Sequence, residues 1–338
     1  MKLRTTLVTL SLAALLGLAQ ARIGSDSELL LDNLEAHSFT LSNESESMRS
    51  FRTEDNFVFT LETRGQALYR VAGGGELDAA SIIFVADLVG AATGYGAGIA
   101  EPVAQFFTEN VGNLSGQGVV DIPVEQFMLG LEVSGSSAPY DISFTLGLNE
   151  ISATLLPDSP HSLGAEDARF VIREFSSPQC PFCARFDLEM MPQIRDTLLS
   201  RGDVRFEYHH FPLITIHANA APASEALECV AASDGQQAFW DFKKVMMERQ
   251  RAWSSLGDPN GFFVRLADEL DLDSDSVASC LEAGEFRTEV MQAYQHAGSQ
   301  LGLTGTPSVL INGFRVPNPF DLAAYEQIFT LIDAFAED

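Results

Sequence analysis

The sequence predicts an α/β protein in two parts. A small α+β domain over residues 23–155 comes first. A linker at 156–168 follows, and then an α/β domain over 169–338 whose strands are interrupted by a helical insertion at about 215–303. Three observations carry this. The chain has 338 residues, more than the ~250–300 at which a single hydrophobic core stops growing. A turn-rich stretch, Leu156-Pro-Asp-Ser-Pro-His-Ser-Leu-Gly164, divides it. Beyond Arg169 the pattern reads strand, helix, strand, helical block, strand, strand, helix.

Composition narrows the function classes. Hydrophobic residues at 46% and charged residues at 20% are an ordinary globular balance, so disorder of the whole chain is excluded. Lys plus Arg number 20 against 47 Asp plus Glu, a formal net charge of −27. Both parts share the excess, with 20 acids and 4 bases in 23–160 and 27 acids and 13 bases in 161–338. Such a surface repels phosphate and no basic stripe exists, so no nucleic-acid partner is expected. Anionic membrane surfaces are disfavoured for the same reason. Only three lysines occur: Lys2, Lys243 and Lys244.

At the N-terminus, Lys2 and Arg4 precede an uncharged Leu- and Ala-rich run over 5–21 that ends in Ala19-Gln20-Ala21. This is the pattern of an export signal with an A-x-A cleavage site. A buried helix and an uncleaved anchor are the rival readings, but the run is short for a span of ~20 residues. Residues 1–21 are expected to be a signal peptide, with the mature protein in the periplasm or cell envelope and not stably inserted in a membrane. Export removes the chain from the reducing cytosol, which changes how its cysteines are read.

The elements of the first domain follow in order. Ser42–Asp55 is a polar stretch. Phe57-Val-Phe-Thr-Leu and Ala67-Leu-Tyr-Arg-Val alternate across Arg64-Gly65 and predict a hairpin, which Gly73-Gly74-Gly75 breaks. Asp78 is placed to cap a helix bearing Ile82, Val85, Leu88 and Val89. Ser81–Ala100 is apolar, but Asp87 and four glycines argue for a core helix and a Gly-rich turn over a membrane span. Pro102 suits the first turn of a second helix through Val111. Glu125–Val133 and Tyr140–Leu148 predict a second hairpin around Gly135-Ser-Ser. The domain has no cysteine and no chemical motif, so its role is not legible.

In the second domain Phe170–Phe175 reads as a strand and Ser176-Ser-Pro-Gln as a turn. A helix runs from near Cys180 towards Ser200, with a kink or break at Pro192. Val204–Phe211 is a second strand. Helices are expected at roughly 222–233, 235–251, 259–270, 274–283 and 285–302. Ser308–Ile311 and Phe314–Val316 are short strands turning at Gly313, and a helix over Phe320–Ala336 closes the chain. His209-His210 could bind metal or shuttle protons, but they read as residues flanking a strand end.

The four cysteines are Cys180, Cys183, Cys229 and Cys280. Cys180-Pro-Phe-Cys183 is a C-x-x-C at a strand–turn–helix junction, where free backbone N–H groups and the positive helix end favour a thiolate. A lowered pKa makes the first sulfur a nucleophile and a good leaving group. Cys183 lies about one turn on, within reach for a disulfide, and Pro181 suits the first helical turn. Half of a zinc site is the main rival. It needs four ligands, the other cysteines stand alone, and none of the six histidines has ligand spacing to this motif. No metal and no organic cofactor are expected.

Glu174-Phe-Ser-Ser-Pro-Gln-Cys-Pro-Phe-Cys183 resembles the active-site segment of DsbA-like thiol:disulfide oxidoreductases of the thioredoxin-4 type. Gly305-Thr306-Pro307 followed by Ser308-Val-Leu-Ile-Asn-Gly313 resembles that family's cis-proline loop and next strand. Leu163-Gly164 and His210-Phe-Pro-Leu213 also fit. The likeness covers about 160–338 and implies a thioredoxin fold with a helical insertion. It implies Cys180 as the attacking sulfur and Cys183 as the resolving thiol. It also implies a cis Pro307 beside the sulfurs, with the Thr306 backbone pairing with an extended substrate. Glu174, where relatives often bury an acid, would accept the Cys183 proton; a solvated strand-end acid is the alternative. Phe182 stands where strongly oxidising relatives carry histidine, which implies a milder oxidant. Some relatives carry a second cysteine pair, which implies a structural Cys229–Cys280 disulfide; two separate buried thiols are the alternative.

The expected function is an exported oxidoreductase exchanging disulfides with protein thiols and reset by an unidentified redox partner. One alternative is a disulfide isomerase or reductase that dimerises through the first domain. The other is a non-catalytic chaperone or binding module on the same scaffold. Oligomeric state is not legible.

Overall fold

The computed structural model describes residues 22–124 and 126–336; the expected signal peptide at 1–21 lies outside the described residues. The chain divides into two compact units. One comprises residues up to Asp121 with Gly130–Leu146, the other Ile122–Leu129 with Gly147–Ala336. No helix among the described residues is long and apolar enough to cross a membrane.

The first unit opens with α1 (Ser27–Asp32). Strands β1 (Phe39–Glu44), β2 (Met48–Thr53), β3 (Val58–Arg64) and β4 (Ala67–Leu77) follow. Then come α2 (Ala79–Thr93), α3 (Ala97–Leu114), β5 (Val119–Val124), β6 (Phe127–Ser134) and β7 (Tyr140–Leu148). The strands form one sheet in the order β1-β2-β3-β4-β7-β6-β5. Phe51, Phe59 and Phe84 pack as neighbouring rings in its core. The Asp78 carboxylate accepts from the N–H groups of Ala80 and Ser81 and so caps α2.

Three expectations for this unit are corrected. The stretch read as merely polar contains the end of β1 and all of β2. It reads as polar because β1 is the sheet edge and almost wholly exposed, which removes the apolar alternation. The glycine run does not break the hairpin, since β4 passes straight through it. A Cβ on Gly73 would meet the Phe144 ring at 2.8 Å and one on Gly74 the Ile142 carbonyl oxygen at 2.8 Å, so glycine lets neighbours close on the strand. Pro102 lies inside α3, which starts at Ala97 directly after Gly96 at φ 54°.

The second unit is a mixed sheet in the order β12-β11-β9-β10-β8. Its strands are β8 (Ser162–Gly164), β9 (Phe170–Ser176), β10 (Val204–His210), β11 (Ser308–Ile311) and β12 (Phe314–Arg315). β9 and β10 are parallel, and β11 runs antiparallel to β9. The stretch read as a linker is part of the unit, since β8 pairs with β10 and His161 is buried. Between β9 and β10 lie α4 (Pro181–Arg185) and α5 (Met191–Gln193), separated by a π-helical turn at 186–190 and followed by another at 194–198. Pro192 therefore does not end the run, because widened turns absorb the amide it lacks.

The insertion is helical, as its periodicity predicts. It comprises α6 (Ala220–Glu248), α7 (Gln250–Trp253), α8 (Asn260–Glu269), α9 (Ser274–Ala283) and α10 (Arg287–Gln295). Gly235 at φ 86° breaks α6 into two segments, close to the boundary the sequence predicts. A disulfide joins Cys229 of α6 to Cys280 of α9. α11 (Leu322–Ala334) closes the unit. The core under the parallel strands includes Phe175, Phe211, Leu303 and Leu310.

Candidate active site

Cys180 is the N-cap of α4. Its backbone is extended, at φ −73° and ψ 125°, and its N–H donates to the Ser177 carbonyl at 2.9 Å. Pro181 occupies the first helical position at no cost, because that amide would be unpaired in any case. The turn is held from the insertion. The Gln250 amide donates to the carbonyls of Pro178 and Cys180 at 2.7 and 2.9 Å. The Gln179 amide donates to the Ser254 carbonyl and its oxygen accepts from the Asn219 N–H, both at 2.6 Å. These tethers pin the nucleophile at the helix end.

The sulfurs are unequal. Cys180 is 5% exposed and Cys183 fully buried. The Cys183 thiol donates to Cys180. Burial opposes the resulting shift, while the Thr306 hydroxyl and the N–H groups of Cys183 and Phe182 reinforce it, and Cys180 is held down at about 5. As a thiol, Cys180 donates to the Thr306 carbonyl at 3.4 Å. As a thiolate it cannot donate, and the buried Thr306 hydroxyl, which has no other partner, joins the Cys183 thiol and the two N–H groups in holding it. Cys183 is pushed well above its ordinary value by burial and by the Cys180 charge beside it; its Sγ accepts from the Ser177 N–H at 3.4 Å. The Thr306–Pro307 peptide is cis and lies against Cys180. Phe182 is 60% exposed on the first turn.

Below Cys183 sits a buried charged cluster. Glu174 ends in β9 with zero exposure and no hydrogen bond. Its nearest countercharge is Lys243 Nζ at 3.7 Å. Lys243, itself buried on α6, also pairs with Asp187 and lies 4.4 Å above the Tyr208 ring. Burial pushes Glu174 up to about 7, Lys243 pulls it back, and the Asp187 charge adds to the rise. Burial also raises Asp187 against the pull of Lys243. The structure thus brings together Cys180, Cys183, Glu174, Phe182, Thr306 and Pro307, and sets Cys229 and Cys280 apart from them in the insertion. Sequence reasoning missed Lys243, Asp187, Gln250 and Asn219. A usable signal existed for Lys243: it is a rare lysine among Phe239, Trp240, Phe242 and Met246.

One expected outcome follows from the unequal thiols. In the reduced protein, alkylation by iodoacetamide is confined to Cys180, and its rate rises with a midpoint near pH 5. A midpoint near the ordinary cysteine value of 9.0 would show that the helix end and Thr306 leave the sulfur unshifted.

A family model described as Thioredoxin, of the thioredoxin-4 type, matches residues 157–334. Among curated relatives, "Na(+)/H(+) antiporter NhaA 3" of Salinispora tropica is 27% identical over 190 residues, covering 56% of this chain. The match spans 27% of the antiporter, about a quarter of its length. "Probable disulfide bond formation protein D" of Bacillus anthracis is 25% identical over 163 residues, covering 47% of this chain and 73% of that one. Among solved structures, oxidised BdbD from Bacillus subtilis aligns with a TM-score of 0.46 at 22% identity, covering 55% of this chain and 96% of its own. Wolbachia pipientis alpha-DsbA1 aligns at 0.47 and 21%, covering 54% and 96%.

Proposed function

This chain belongs to the thioredoxin family, as a DsbA-like member of the thioredoxin-4 type, and from that premise we propose that it is an exported thiol–disulfide oxidoreductase working through Cys180-Pro-Phe-Cys183. The observation that carries the reading is the pairing of a low-pKa sulfur at a helix N-terminus with a buried, high-pKa partner one turn on, beside a cis Thr306–Pro307.

In the oxidising direction a client thiolate attacks Cys180 Sγ of the Cys180–Cys183 disulfide. The client–Cys180 bond forms, the Cys180–Cys183 bond breaks, and Cys183 leaves as a thiolate. With its high pKa it must be protonated. Glu174, still holding its proton up to about pH 7, is the buried donor nearest in chemistry and place. The client's second thiolate then attacks its own sulfur in the mixed disulfide and expels Cys180, which leaves readily because its thiolate is stabilised. The cycle reduces the protein by two electrons, which a redox partner must remove. Thr306 offers backbone groups beside the sulfur on which an extended client segment can pair.

The test is oxidation of a reduced client protein by the oxidised chain, with the potential of the 180/183 pair measured against glutathione. Stoichiometric client oxidation is expected. The Phe182 side chain can give the thiolate neither a hydrogen bond nor a charge, so the potential should lie below the ~−120 mV of a strong oxidant, and Phe182→His should raise it. Failure to oxidise any dithiol client at a measurable rate overturns the reading.

A further inference from the structure

We propose that His161, His210 and Glu228 form a binding site for one divalent cation of the zinc-like class. His161 comes from the segment before β8, His210 ends β10, and Glu228 lies on α6. All three are buried, at 3%, 8% and 7% exposure. Their ligand atoms lie within 4.8 Å of one another. The Nε2 atoms of His161 and His210 stand 2.7 and 2.6 Å from the same carboxylate oxygen, Glu228 Oε1. Two imidazoles and one carboxylate suit zinc and its neighbours in the transition series, and they are a poor set for calcium or magnesium, which prefer oxygen alone.

A second, independent observation points to a cation. His161 faces an acceptor at each ring nitrogen: Gln236 Oε1 at 2.9 Å from Nδ1 and Glu228 Oε1 from Nε2. A neutral imidazole has one N–H and cannot satisfy both. With the proton on Nδ1, donated to Gln236, the Nε2 lone pair and the carboxylate oxygen face each other, and a cation between them satisfies both, as a second ring proton also would. A side-chain oxygen fixing the tautomer of a ligating histidine from behind is the usual support of such sites. The ring is further held by stacking on Phe239, with centroids 3.7 Å apart and planes 2° apart.

His210 Nδ1 is buried without a partner, so Nε2 alone anchors that ring among the described residues. A cavity of about 280 Å³ opens on the cluster, lined also by His209, Glu289 and His296. It supplies an entry path and room for water as a fourth ligand. On loading, each imidazole binds through Nε2 and keeps its proton on Nδ1. The two N···O separations widen to roughly 3.2 Å to admit metal–ligand bonds of about 2.0–2.2 Å.

The site uses no cysteine, so it stands or falls apart from the oxidoreductase reading. The experiment titrates Co²⁺ into the full chain with the 180/183 pair oxidised, which removes those sulfurs as ligands. Visible absorption is followed, and Zn²⁺ then competes. One equivalent with the d–d bands of a low-symmetry cobalt site is expected, displaced by one equivalent of zinc. Glu228→Gln and His210→Ala should each weaken binding about 100-fold or more. Gln236→Leu, at an exposed position that the fold tolerates, should weaken it about 10- to 100-fold. Absence of saturable one-equivalent absorption in the parent protein overturns the proposal. So does an affinity unchanged in Gln236→Leu and in any folded ligand variant, which would assign the ion to the acidic surface.

Discussion

Cys180→Ser is expected to bring client oxidation down to the uncatalysed background, and Cys183→Ser to trap client proteins in mixed disulfides. The two outcomes differ because the sulfurs do. Cys180 sits at the helix end with its pKa lowered to about 5, so it is both the atom attacked and the group expelled. A serine there carries an oxygen that neither forms a disulfide nor leaves as a stable anion at neutral pH. Cys183 is fully buried and reached only from Cys180. Its loss leaves Cys180 able to attack a client disulfide, forming the client–Cys180 bond as the client's own S–S bond breaks and one client thiolate leaves, and it removes the thiol that would release the adduct from within. On non-reducing gels, Cys183→Ser should show adducts that vanish with reductant and are absent from the double variant. Client oxidation by Cys180→Ser at the parental rate would sink the mechanism and favour a chaperone acting on the same scaffold.

Lys243→Met should be the most damaging change outside the cysteines. It leaves Glu174, fully buried, and the largely buried Asp187 side chain without their shared cation. Stripping one partner from a buried ion cluster costs about 3–5 kcal/mol, a fall in Tm on the order of 10 °C for a unit of this size. The sign with pH is definite. Glu174 already has a folded pKa raised to about 7, so its favourable contribution is complete at low pH and is lost as pH rises through about 7. Without Lys243 that window moves upward. Internal resolution of mixed disulfides, in which Cys183 surrenders its proton to ionised Glu174, should then need higher pH. Adding Asp187→Leu should restore much of the stability, because it removes one unpaired acid, but only part of the pH profile, because Glu174 still lacks the Lys243 charge. A double variant with both restored would reduce Lys243 to a structural role.

What the chain announced locally and what it withheld divide along one physical line. Strand–turn–helix at Phe170–Arg185, Pro181 inside the first helical turn, the Gly235 break and the alternation of β3 are short-range effects. They arise from dihedral preference, capping and side-chain period, and a reader of ten residues can see them. The stretches bearing Cys180, Cys183, Glu174, Thr306 and Pro307 are recognisable in the same way. Their meeting across more than 120 residues is read from the resemblance, since no local rule brings β11 beside β9. The edge strand β1 was hidden because an exposed strand has no apolar face, and the glycines of β4 because their close partners, Phe144 and Ile142, are distant in sequence. By itself the sequence determined most of the segments that turn, coil or extend in the second unit, and that a C-x-x-C opens one helix. Only the tertiary structure decided that Lys243 lies under Glu174, that Gln250 holds the Cys180 carbonyl, and that His161, His210 and Glu228 converge. The reason is that a helix in the insertion has the same local energy whichever face it turns to the sheet. Packing alone selects the face, and with it the charges that reach the site.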